Sequence, residues 1–311
     1  MVDDPTGGTR SRASRGGLRT HQFRSCGSTA LLRPGVDANL RRPAGHTMML
    51  SQATPATIRE TWLGRASTIS GRPTISEVAE AAVSGVYNAF TESLVLARAF
   101  LTVPYGILPE RHRSFASAMA HSVGLAELLQ APTPVHCILA TRGHVADWND
   151  PMRSRDHVAI PLLSDEFVAS IPMIACLLKA LGLPLTWLGD SASTADLRII
   201  GSEVGSFLVA DPVHAVDEQG RRIIPDRPFV DQHSVRSVFA VGGVVFGGSV
   251  LTLIFFSTEP LASRNARAFM PLVSHVKGLL LSRCSVARTF SPAEYAASEG
   301  GPATRCGRGA T

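Results

Sequence analysis

The run from Ala240 to Phe256 constrains this chain most. It comes nearest to a membrane span, yet Gly242, Gly243, Gly247, Gly248 and Ser249 interrupt it. A spanning helix needs roughly 18 or more consecutive apolar residues, so the run reads instead as two strands. Val235–Val245 and Ser249–Phe256 then form an antiparallel hairpin across Phe246-Gly247-Gly248. The chain has 311 residues, 45% hydrophobic and 18% charged, which is enough to bury a core in one or two domains and excludes a wholly disordered protein.

Charge divides the chain. Residues 1–47 carry eight Arg against Asp3, Asp4 and Asp37, so the whole net charge of +5 is already present there. Residues 1–72 are rich in Gly, Ser, Pro and Arg without sustained periodicity and read as a disordered basic leader and linker. Met48 and Met49 follow the basic stretch, and a translation start there is one reading of it. The tail 283–311 returns to Arg, Gly, Ser and Ala and reads as disordered. Five cysteines, an odd number without C-x-x-C spacing, argue against a zinc ribbon or disulfide framework and point to a reducing cytoplasm.

Between these ends, 73–282 reads as one domain. Thr74-Ile75-Ser76-Glu77 has the spacing of a capping box. The helix behind it carries Val78, Ala79, Ala82, Val83, Val86, Tyr87 and Phe90 on one stripe. Leu94–Val103, apolar on both faces except for Arg98, reads as a buried strand. A helix over His112–Leu129, strands at Val135–Ala140 and His157–Leu163, and a helix after Ser164 kinked at Pro172 follow. A strand at Gly205–Ala210, the hairpin and a helix from about Glu259 to Leu281 complete the order. The fold class this implies is α+β, a central antiparallel sheet flanked by helices.

Ser234-Val235-Arg236-Ser237-Val238-Phe239-Ala240-Val241, then Gly248–Phe256 and the closing helix, resemble the last two strands and C-terminal helix of GAF-type sensory domains. The resemblance implies a GAF/PAS-like small-molecule sensory module of bacterial signalling. Such a module is non-enzymatic, binds a ligand or pairs with itself as a homodimer, and serves a kinase or cyclase output partner. It names no cofactor.

Thr141–His157 is the densest polar cluster. Arg142, Arg153 and Arg155 offer anion-binding forks, Trp148 a flat stacking face, and His157 a donor at the mouth of a strand. These five are the expected ligand site, for a molecule with an anionic group and a planar ring. No H-E-x-x-H, G-x-S-x-G or Walker pattern occurs, so no catalytic or metal-ligating set is assigned. Two other readings stay open. One is a thiol-dependent redox enzyme of the GAF type using Cys137 or Cys176, and the other is a nucleic-acid-associated protein acting through the Arg-rich tail.

Overall fold

A computed structural model describes residues 48–63, 74–154, 157–183, 204–245, 248–281 and 289–296. All of these belong to the compact unit His46–Thr311; the other unit, Met1–Gly45, lies outside the described residues.

The described chain runs α1 (Pro55–Leu63), α2 (Ile75–Ala89), β1 (Leu94–Pro104), α3 (Glu110–Ser122), β2 (Pro134–Gly143), β3 (Ala159–Pro161), α4 (Asp165–Ala169) and α5 (Pro172–Ala180). It continues with β4 (Val204–Val209), α6 (Arg227–Gln232), β5 (Ser237–Val244), β6 (Val250–Ser257), α7 (Ser263–Arg267), α8 (Met270–Leu281) and α9 (Pro292–Ala296). The strands form one six-stranded sheet in the order β3-β2-β1-β6-β5-β4, and every pairing is antiparallel. The fold is therefore the α+β arrangement that the order of elements implied.

Local signals in the sequence explain several elements. Glu77 N–H donates to Thr74 Oγ1 and Thr74 N–H donates to Glu77 Oε2, closing the capping box that starts α2. The apolar stripe of α2 is buried against one face of the sheet, together with Phe269 from the turn between α7 and α8 and Leu272, Val273 and Val276 from α8. Apolar residues of α4, α5 and α6 join the core on the other face. β1 lies between β2 and β6, and the apolar side chains packed on each side of the sheet bury its residues on both faces.

Cross-strand partners share a face of the sheet. Ala97, Ala99, Leu101 and Val103 face α2, whereas Leu96, Phe100 and Thr102 face the other way with their partners Gly143, Ile138 and His136. Gly242 is a strand residue here. A Cβ on it would lie 2.5 Å from Leu251 O, with Thr252 and Leu181 side chains close behind. Its neighbour across the ladder, Gly205, lets the end of α5 approach, since a Cβ there would meet Ala180 O at 2.8 Å.

The structure corrects several expectations. The helix expected over His112–Leu129 ends at Ser122, where Gly124 takes a left-handed φ of 73° and a short 3₁₀ turn over Ala126–Leu128 follows. Pro172 does not kink a helix but starts one. Proline cannot donate an N–H and disfavours helical geometry at the preceding residue, so Ile171 is extended and α4 and α5 are separate. The closing helix is likewise split into α7 and α8, with Pro271 in the first turn of α8. The strand expected over His157–Leu163 is reduced to Ala159–Pro161, and His157 itself adopts φ 58°.

Two segments outside the expected 73–282 are described with the body. Met48–Leu63, expected in the leader, is part of the packed body, with Leu50 and Ile58 buried. Thr289–Ala296, expected in a disordered tail, docks on the body through the buried Phe290. In both segments a few anchoring side chains and hydrogen bonds outweigh a composition that shows no periodicity.

Candidate functional site

The end of β2 sets the geometry. Gly143 N–H donates to Asn149 Oδ1 at 2.8 Å, and Trp148 N–H donates to Val145 O at 2.9 Å, folding 146–149 into a 3₁₀ turn over the strand end. Trp148 Cε3 would be 2.8 Å from a Cβ on Gly143, so glycine at that position is what lets the indole settle on the sheet.

Around Trp148 gather rings from a distant segment. Its indole lies 5.3 Å from His144, 5.6 Å from Phe229 and 4.7 Å, edge-on, from His233. Phe229 in turn meets Phe256 of β6. Asp226 caps α6 by accepting from Phe229 N–H, Pro228 sits in its first turn, and Ser234 with φ 52° ends the segment. This short, well-capped helix places Phe229 and His233 together, one turn apart.

His144 Nε2 and His233 Nδ1 lie 3.0 Å apart and share a hydrogen bond, so at least one ring nitrogen of the pair carries a proton and the other accepts. Burial, followed by the charge of its partner, lowers the His144 pKa. Burial lowers that of His233, with Asp226 opposing. Both rings thus favour the neutral form, giving donors and acceptors beside aromatic walls.

The structure brings together only part of the expected site. Trp148 lies at the cluster, half-buried. Arg153 is exposed on the same loop and pairs with Asp147 at 2.9 Å. His157 is exposed beyond the loop, and Arg155 lies outside the described residues. Arg142 is on the opposite side of the sheet. It pairs with Ala97, which faces α2, whereas Gly143 under Trp148 pairs with Leu96 on the other face. Arg98, which interrupts the apolar run of β1, pairs with Thr141 and so shares the Trp148 face. His144, Phe229 and His233 were not among the expected residues. His144 stood within the dense polar loop, but nothing local marks His233, which is 89 residues from its partner.

Elsewhere on that face His136 sits between Thr102 Oγ1 at 3.1 Å and Thr252 Oγ1 at 3.0 Å, stacked on Phe100. Burial lowers its pKa to about 4, so it is a neutral, satisfied core group. Cys137 is fully buried, donates to Leu101 O, and has its pKa raised far above the ordinary thiol value by burial. Burial also raises that of the half-buried Cys176. Neither environment generates a thiolate. Among the described residues no three His, Cys, Asp or Glu gather as metal ligands, and no helix is long and apolar enough to cross a membrane.

No family model matches the sequence, and no curated protein matches it. Solved structures do resemble its layout. Free methionine-R-sulfoxide reductase from Neisseria meningitidis, in complex with its substrate, is similar at TM-score 0.42 and 11% identity, over 78% of this chain and 99% of that one. The GAF domain of a phosphoenolpyruvate-protein phosphotransferase from Coxiella burnetii is similar at TM-score 0.38 and 9% identity, over 74% and 96%. The phycoerythrobilin-bound GAF domain of a cyanobacterial phytochrome gives 0.38 and 11%, over 74% and 96%.

Proposed function

We propose that the domain is a non-enzymatic sensory or regulatory module that binds a small molecule carrying a planar ring and an anionic group. The observation that carries this reading is the meeting of Trp148 and His144 with Phe229 and His233, two segments far apart in sequence, at one end of the sheet. Aromatic walls with a few convergent polar groups are what small-molecule sites are built from. Arg153, Arg155 and His157 would supply the anion contacts, and Arg98 lies on the same face. Arg142, on the far side, takes no part. In this reading the module pairs with a second copy and reports to a kinase or cyclase output partner in a reducing cytoplasm.

A thermal-shift screen of anionic aromatic metabolites, run on the wild type and on Trp148→Ala, tests the site. Hits that stabilise the wild type should fail to stabilise the variant. Hits retained at full strength by Trp148→Ala would place the site elsewhere. Arg153→Ala should weaken a hit by roughly tenfold or more, the scale of one charge-assisted hydrogen bond.

A further inference from the structure

We propose that Thr289–Tyr295 is an internal peptide ligand, seated in a socket that accepts a peptide of the same pattern in trans: an aromatic anchor followed by Ser-Pro-x-Glu-Tyr. The segment is held as a bound peptide would be, by one deep anchor and a few backbone and charge-assisted contacts. Phe290 is 0% exposed, its ring centroid 5.1 Å from that of His112, and it joins the buried cluster that contains Leu108, Ala116 and Val135. Thr289 O accepts from Ser76 N–H at 3.0 Å, in the first turn of α2. Glu294 Oε2 accepts from Ser76 Oγ at 2.7 Å and from Ser291 N–H at 2.6 Å, tying the five-residue α9 back to the same turn. Tyr295 donates its hydroxyl to Ile107 O at 3.0 Å.

His112 supplies one wall of the socket. His112 is fully buried, and its Nε2 donates to Ile138 O at 3.4 Å. Its Nδ1 has no hydrogen-bond partner among the described residues and is sealed from water in the docked state. Hot-spot recognition of this kind concentrates in a buried aromatic anchor ringed by polar contacts that exclude water. The proposal is independent of the Trp148 site, which lies on the other face of the sheet.

The test uses the full chain carrying Phe290→Ala and a fluorescein-labelled peptide of residues 286–297, read by anisotropy. The variant should bind the peptide at least about tenfold more tightly than the wild type does, because an attached, intact segment competes at an effective concentration of order millimolar. A peptide with Ala at the Phe290 position should bind neither. Equal binding to both chains, or equal binding of both peptides, overturns the proposal. Should Phe290→Ala not fold, Glu294→Ala in the full chain leaves the anchor in place. Amide exchange over 289–295 should then accelerate at least about tenfold while the body's exchange is unchanged. Unaltered exchange across the segment overturns the proposal equally.

Discussion

Glu259 fastens the first described residues to the start of the closing helices, and removing it should loosen a segment whose composition reads as linker. The side chain is 7% exposed. Oε1 accepts from Leu50 N–H at 2.7 Å and Oε2 from Ser51 N–H at 3.1 Å, while Asn265 Nδ2 donates to Ser51 O. Burial by itself would raise the carboxyl pKa, but hydrogen bonds from Ser51, Ser93 and the backbone N–H groups of Ser51 and Leu50 outweigh it and hold the group below the usual range. Hydrogen bonds to a charged acceptor contribute about 1.5–3 kcal/mol each. In Glu259→Ala, Leu50 N–H retains Ser93 Oγ at 3.3 Å and water reaches part of the gap, so the net loss should be about 3 kcal/mol. For a domain of about 150–250 residues that is a fall in Tm of roughly 6–12 °C. Glu259→Gln keeps one acceptor and should lose about 1–2 kcal/mol. Scanning calorimetry measures the shift, and amide exchange at Leu50 and Ser51 reports the strap directly. A Tm within about 2 °C of wild type for Glu259→Ala, with protection at both amides intact, would refute the reasoning.

Acid should destabilise the body through two buried imidazoles. His112 and His136 each have a folded pKa of about 4 against 6.5 unfolded, both because burial disfavours the cation. Below pH 6.5 the unfolded chain binds more protons, so stability is full above that value and falls as pH drops towards 4, by up to about 3 kcal/mol per group. Urea melts of the wild type and of His136→Gln across pH 4–7 should show a shallower slope for the variant, and parallel slopes would count against the assignment. Gly242→Ala, whose Cβ would press on Leu251 O, should cost on the order of 1–3 kcal/mol as an overpacked strand, whereas an unchanged urea midpoint would mean that the ladder can shift. Deleting residues 1–47 should move Tm by less than about 5 °C, since the segment lacks apolar periodicity; a larger fall would show that it packs on the body.

Much of the scaffold was legible in the sequence because it depends on neighbours only a few residues apart. The capping box at Thr74, the stripe from Val78 to Tyr87, the doubly buried run of β1 and the Gly-punctuated hairpin are patterns of period 3.6 or 2 that local sterics and burial enforce. Helix ends were read less well where proline intervened, since Pro172 and Pro271 suit either a kink or a first turn until the packing is known.

The candidate site was decided by tertiary structure. Arg142 and Trp148 are six residues apart in one polar loop, yet the β1–β2 register, shifted by a bulge at Ala99/Phe100, sends Arg142 to the α2 face and leaves Trp148 on the other. His233 reaches His144, Glu259 reaches Leu50, and Glu294 reaches Ser76 across 89, 209 and 218 residues. A side chain's period along the chain records which face it occupies within its own element. Which distant backbone or ring it meets depends on how the elements pack, and no local pattern encodes that.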